Sequence, residues 1–89
     1  MKNRLEIDIL DSISGVDADR VRLECCKDTL IMLKKYSDGS NTSPKLLLRH
    51  GRKYRFVGVP LVINNRVYKE VLRLRPRNYC FYLGDYFVI

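Results

Sequence analysis

The spacing of apolar residues predicts a helix in the first half of the chain. Asp17 suits the N-cap of a helix, and apolar side chains then recur every three or four residues as far as Tyr36. This spacing predicts one amphipathic helix over about residues 18–36. Before it, residues 5–9 alternate apolar and acidic side chains, a period of two that predicts a strand or an extended arm.

The second half of the chain is dominated by a period of two. Short alternating or apolar segments are separated by the turn signals His50-Gly51, Asn64-Asn65 and Gly84-Asp85, and a polar segment, residues 37–44, precedes them all. The fold class predicted is therefore α+β. We expect one amphipathic helix (about 18–36) packed on a mostly antiparallel sheet of 4–5 short strands.

Length and composition indicate a small globular protein. The chain has 89 residues, of which 46% are hydrophobic and 30% charged, and this predicts a single small domain over residues 1–89. Within it, residues 1–44 would supply the arm, the helix and the polar loop, and residues 45–89 the β-rich part. No apolar stretch is long enough for a membrane span, and three cysteines without a pairing pattern suit a reducing compartment. We therefore expect no membrane association and a cytoplasmic location.

The charge is divided unequally between these two parts. Residues 1–44 contain seven Lys or Arg and eight Asp or Glu, whereas residues 45–89 contain ten Lys or Arg and only two acidic residues. The β-rich part therefore carries a net charge of +8 with His50 neutral, within a total of +7. Such a one-sided excess predicts a polyanionic or acidic partner.

Alternation assigns part of this charge to one face of a strand. Leu72 and Leu74 lie on the opposite side of the predicted strand from Arg73 and Arg75, which predicts an outward row of guanidinium groups. Aromatic residues are interleaved with the cations, and Tyr54 and Phe56 point either outward for base stacking or inward to the core. The candidate binding residues are Arg52, Lys53, Arg55, Arg66, Lys69, Arg73, Arg75 and Arg77.

Catalytic and metal-binding patterns are missing from the sequence. His50 is the single histidine and sits in a predicted turn, and no phosphate-binding glycine loop or pair of metal ligands at short spacing occurs. The cysteines Cys25, Cys26 and Cys80 are predicted to be buried small apolar residues. We expect no enzymatic activity, no cofactor and no metal.

Two segments resemble a viral structural protein. The sequence G-V-P-L-V-I at residues 58–63 and the sequence Y-L-G-D-Y-F-V-I at residues 82–89 are similar to the carboxyl-terminal segment of tailed-phage major capsid proteins. Those proteins are much longer and continue beyond the G-D motif. The resemblance implies a phage-encoded structural or assembly component, located in the host cytosol, with no catalytic residues to transfer.

The sequence therefore predicts a small, basic, non-enzymatic binding module. Its arginine-rich sheet face is expected to contact nucleic acid, either DNA or RNA. The alternative is a phage structural or assembly subunit, or an inhibitor, that docks this face on an acidic protein surface such as the nucleic-acid channel of a host enzyme. The apolar terminal segment, residues 86–89, would favour homo-oligomers by strand addition.

Overall fold

The structure is a computed structural model that describes residues 4–39 and 47–86. In these ranges it contains two α-helices and six strands. The helices are α1 (Arg4–Ser12) and α2 (Lys27–Gly39), and the strands are β1 (Arg22–Cys25), β2 (Leu47–His50), β3 (Lys53–Phe56), β4 (Val59–Ile63), β5 (Val71–Arg75) and β6 (Tyr79–Tyr82). Short 3₁₀ helices occur at Ala18–Arg20 and Leu83–Asp85.

All six described strands form one sheet in the order β2-β3-β4-β1-β5-β6. Strands β2 to β4 form an antiparallel meander and β5 pairs with β6 as a hairpin. Strand β1 lies between these two units, antiparallel to β5 and parallel to β4. The α+β class is confirmed, but the sheet is mixed rather than mostly antiparallel, and it has six strands instead of four to five.

The first segment is a helix, so the strand predicted over residues 5–9 is wrong. Leu5 and Ile9 are fully buried one helical turn apart, and Ile13 continues the same line just after α1 ends. Ile7, which a strand would place beside them, is exposed. The apolar positions of this segment fit both the strand period of two residues and the helical period of 3.6, and packing on the core selects the helix.

The single helix predicted over residues 18–36 is also wrong, because it is divided into three elements. Asp17 does act as an N-cap, accepting a 3.0 Å hydrogen bond from the Asp19 N–H, but the capped element is a 3₁₀ turn. Residues 22–25 then form β1, and α2 begins at Lys27. A central position in the sheet buries Leu23 and Cys25 completely, which outweighs a helical preference at these positions.

One face of the sheet and both helices share a single hydrophobic core. The cluster includes Leu5 and Ile9 from α1, Leu33 from α2, and Leu23 and Leu72 from the sheet. Two contacts fix α1 over the β5–β6 hairpin: the Tyr86 hydroxyl donates to Asp8 Oδ2 at 2.6 Å, and Arg77 Nη1 donates to the Ser12 carbonyl at 3.1 Å.

Two details of the β-rich half differ from expectation. Pro60 lies in an interior strand, where proline is rare, since β4 is flanked by β3 and β1. It is tolerated there because the described parallel ladder begins one residue later, at the pair Leu23↔Leu61. Gly84-Asp85 forms part of a 3₁₀ helix instead of a hairpin turn. Residues 87–89, most of the predicted terminal strand, lie outside the described ranges, as does most of the polar loop.

Candidate nucleic-acid interface

The sheet has one face that no described helix covers. Leu48 and Val62 lie on it and are 40% and 44% exposed, whereas the alternating positions Phe56 and Leu61 point into the core. Strand register assigns the other members, and we call this surface the open face. Its described residues are Arg22, Glu24, Leu48, His50, Lys53, Arg55, Pro60, Val62, Val71, Arg73, Arg75, Cys80 and Tyr82.

Cations dominate the charge of the open face. Five lysine or arginine side chains lie on its described part, against the single carboxylate of Glu24. Three of the strands contribute them: β1 provides Arg22, β3 provides Lys53 and Arg55, and β5 provides Arg73 and Arg75. The five positions span most of the sheet, as an extended polyanion would require.

Two of these arginines lie directly opposite each other. Arg22 on β1 and Arg75 on β5 are register partners, so their side chains leave the same face at neighbouring positions. Like charges at directly opposite positions destabilise an antiparallel pair. An anion placed between the two guanidinium groups would remove this repulsion, and a phosphate has the charge and the acceptor oxygens to do so.

Glu24 organises the centre of the open face. It is 6% exposed, and its two carboxylate oxygens accept hydrogen bonds from different arginines. Arg22 Nε donates to Oε2 at 3.1 Å, while Arg73 donates to Oε1 from Nε at 3.3 Å and from Nη2 at 2.9 Å. Burial alone would raise the pKa of the Glu24 carboxyl, but the hydrogen bonds from Arg73 and Arg22 outweigh it and lower the pKa.

The Glu24 network leaves donors available for a ligand. Arg22 uses only Nε, so both of its terminal nitrogens have no partner among the described residues. Arg73 retains Nη1 in the same way. Two positive charges share one negative charge here, so the cluster remains net cationic with its guanidinium groups held in defined orientations.

The other arginines of the open face have weaker intramolecular ties. Arg55 forms an exposed ion pair with Asp19, Nη2 to Oδ1 at 2.8 Å, and also donates to the Gly58 carbonyl. Arg75 Nη1 donates to the neutral Asn78 side chain at 2.8 Å. Exposed contacts of this kind are worth at most about 1 kcal/mol, so a ligand can displace them at small cost.

Four of the eight predicted binding residues lie on the open face, and the other four lie elsewhere. Lys53, Arg55, Arg73 and Arg75 lie on the open face. Arg52 is in the β2–β3 turn, and Arg66 and Lys69 are in the loop from β4 to β5, at the end of the sheet where β1 and β4 finish. Arg77 lies apart from these, on the helix side, where it holds α1.

Aromatic residues divide between the two faces. Phe56 is fully buried and Tyr54 is half-buried, so both belong to the core side. Tyr79 also points to that side, since its register partner is the buried Leu74. Tyr82 is on the open face, 59% exposed, and pairs with Val71 two positions from Arg73. It offers a flat ring beside the arginines.

Sequence reasoning missed three members of this site. Arg22 and Glu24 fall within the helix predicted over residues 18–36, although the order V-R-L-E-C at residues 21–25 alternates apolar and polar side chains. That short period of two was the available signal. Tyr82 lies in an apolar segment of the sequence, and only its pairing with Val71 on β5 places its side chain on the open face.

The three cysteines differ in burial. Cys25 and Cys26 are buried as predicted, but Cys80 is exposed. Burial, reinforced by the neighbouring Cys26, raises the pKa of the Cys25 thiol to about 12, and a hydrogen bond with Thr29 lowers that of Cys26. No group of three or more potential metal ligands occurs in residues 4–39 and 47–86. Neither helix in those ranges is long and apolar enough to cross a membrane.

Comparisons with known proteins supply no relative for this fold. No family model, curated protein or solved structure matches the chain. The resemblance of the second half to tailed-phage capsid proteins therefore stays a prediction.

Proposed function

We propose that the protein is a non-enzymatic nucleic-acid-binding module that holds the phosphate backbone against its open face. The opposed pair Arg22 and Arg75 is the observation that carries this proposal. Glu24 and Asn78 each engage one nitrogen of this pair, and an anion between the two guanidinium groups would relieve their repulsion and use the remaining donors. The neighbouring Arg73, held by Glu24, extends the same cationic surface.

The open face suits a single strand better than a duplex. It is a sheet surface rather than a projecting helix or ribbon that could enter the major groove. Its arginines can follow a backbone, while the exposed ring of Tyr82 can stack on a base. These features predict binding to single-stranded DNA or RNA with little dependence on base sequence.

A second candidate partner is an acidic protein surface. Leu48 and Val62 are exposed apolar residues on the same face, and a protein partner would bury them while pairing its carboxylates with the arginines. Under this alternative the chain would ignore free nucleic acid. The phage structural or inhibitory role suggested by the sequence belongs to this class.

The test is a fluorescence anisotropy titration of a labelled 12-nucleotide single strand at several salt concentrations. Replacing the opposed pair, Arg22→Gln with Arg75→Gln, should weaken binding by about tenfold or more and reduce the slope of log affinity against log salt by about 1.4. The matched control is Lys34→Gln with Lys35→Gln, which removes the same two charges from α2.

The control pair should leave affinity nearly unchanged, because both lysines lie on the helix side. Equal weakening by the two double variants would show that only net charge matters and would contradict a defined interface. Absence of binding to DNA and RNA at low salt would exclude the proposed function and favour the acidic protein surface.

A further inference from the structure

A second candidate site lies on the helix side of the sheet, away from the open face. A cleft of about 290 Å³ separates α2 from the outer strand β2. Apolar and aromatic side chains line it, with cations around them, and the residues that matter here are Leu30, Ile31, Lys34, Leu47, Arg49 and Tyr54. Ile31 is 48% exposed, so the cleft presents apolar surface to solvent.

The cations of the cleft have no acidic partners among the described residues. Lys27 and Lys34 both lie on α2, two helical turns apart, and neither forms a described ion pair. On the opposite wall, Arg49 lies over the Tyr54 ring, with Cζ 5.7 Å from the ring centroid, and donates from Nε to the Gly51 carbonyl at 2.7 Å. Asp38 is the acidic residue in the lining, on α2 one helical turn from Lys34, so the lining carries three cations and one carboxylate.

Strand β2 leaves one edge without a described partner. It is the first strand in the sheet order, paired only with β3 within the described ranges. Leu47 N–H is already bonded, to Ser37 Oγ at 3.0 Å. The turn after His50 has two residues, so the flanking pair His50↔Lys53 is hydrogen-bonded. The next pair, Arg49↔Tyr54, is not, and the backbone N–H and C=O of Arg49 therefore point away from β3, towards the open edge.

This arrangement matches the requirements of strand addition. A peptide laid along β2 would hydrogen-bond to the Arg49 backbone and place every second side chain between α2 and the sheet. An apolar residue at one of those positions would cover Ile31 and Leu30. Carboxylates two positions before and after it, on the same side of the peptide, would meet Lys34 and Arg49. A small anion would use the charge but not the open strand edge.

We propose that the cleft between α2 and β2 binds an extended acidic peptide segment of a partner protein, which joins the sheet as an added strand beside β2. On the side of the segment that faces α2, the charge of the cleft selects acidic residues, and its apolar lining selects an apolar residue between them. The site is independent of the open face, because Leu47 and Arg49 point away from it.

The experiment uses the full chain and an array of fluorescent nonapeptides in which every second residue would face α2. These positions carry Glu or Asp on either side of a varied apolar residue, and serine occupies the positions between them. Members of the array should bind with Kd values of about 100 μM or lower at physiological salt. Lys34→Glu should weaken the best member by about tenfold, a loss of about 1.4 kcal/mol. Lys35→Glu, the same change at the adjacent exposed position outside the cleft, should have little effect.

A backbone readout separates strand addition from simple charge attraction. Two versions of the best peptide are made, N-methylated at either the odd-numbered or the even-numbered amides. Only one version should lose binding, because its methyl groups block the hydrogen bonds to β2. The proposal is overturned if no member binds at about 1 mM. It is equally overturned if Lys34→Glu and Lys35→Glu weaken binding alike. It is also overturned if neither N-methylated version loses binding, which is the result expected of a pocket for small anions.

Discussion

Glu24 shows how a single residue can both stabilise the sheet and shape its binding surface. Its buried carboxylate would be costly if it were unpaired, but Arg22 and Arg73 each satisfy one oxygen. In return, the carboxylate holds both guanidinium groups against the sheet. Orienting these cations before a ligand arrives reduces the entropy that binding would otherwise cost.

Glu24→Gln should lower the free energy of unfolding by about 1–3 kcal/mol at neutral pH, because an amide cannot accept from both arginines as the carboxylate does. The lowered pKa of the native carboxyl means that its contribution is present above about pH 4.3 and is lost as the pH falls through the native pKa. Urea unfolding of both proteins between pH 7 and pH 2.5 measures the difference, which should shrink in acid.

Asp19→Asn is the matched control, since Asp19 forms an exposed ion pair with Arg55. It should change the free energy of unfolding by no more than about 0.5 kcal/mol. A difference between wild type and Glu24→Gln that stays constant down to pH 2.5 would contradict the role assigned to the buried carboxylate.

The β3–β4 turn is an element whose sequence conflicts with its conformation. Val57 and Gly58 both have positive φ, 56° and 78°, as a two-residue type I′ turn requires. Glycine adopts this conformation freely, but a β-branched residue does so at a cost of about 1–3 kcal/mol. The rest of the hairpin, with Phe56 and Val59 both fully buried, holds Val57 in place.

Val57→Asn should therefore raise the free energy of unfolding by about 0.5–1 kcal/mol, because asparagine tolerates positive φ. The gain is reduced by the loss of the apolar contact that Val57 makes with the core. Gly58→Ala should lower the free energy of unfolding by about 1 kcal/mol because alanine adopts a positive φ less readily than glycine, although an added Cβ would meet no atom within 4 Å. Thermal melts that show no stabilisation by asparagine would contradict this interpretation of the turn.

The elements that sequence reasoning predicted well are those with an unambiguous period. Leu72 and Leu74 are buried and Arg73 and Arg75 face outward, as the alternation predicted. Residues 5–9 fit two periods at once, and only burial of Leu5 and Ile9 decided between them. Strand β1 has four residues, and this is too short for its period of two to be distinguished from the helical pattern of the residues that follow.

Positions that depend on tertiary contacts could not be predicted. Insertion of β1 between β4 and β5 is what brings Arg22 opposite Arg75, and no local pattern encodes that pairing. The same applies to Arg77, which was grouped with the binding residues but donates to the Ser12 carbonyl of α1. The predicted set therefore contains four residues of the open face and lacks Arg22, which only the pairing of β1 with β5 places there.

At the scale of the whole molecule, the charge is arranged by layer as well as by sequence half. Both helices pack on one side of the sheet, and the other side carries Arg22 from the first half with Lys53, Arg55, Arg73 and Arg75 from the second. The cleft with Lys34 and Arg49 lies on the helix side. The molecule thus has two separate cationic surfaces, the open face proposed for nucleic acid and the cleft proposed for an acidic peptide.

The most direct test of the central claim is an NMR titration with a 12-nucleotide single strand that follows side-chain signals. Binding at the open face should shift the Nε–H resonances of Arg22 and Arg75 and the ring resonances of Tyr82. The Nε–H of Arg49 and the ring of Tyr36, both on the helix side, should stay unchanged. Shifts confined to Arg49 and Tyr36, or no shifts at low salt, would contradict the account.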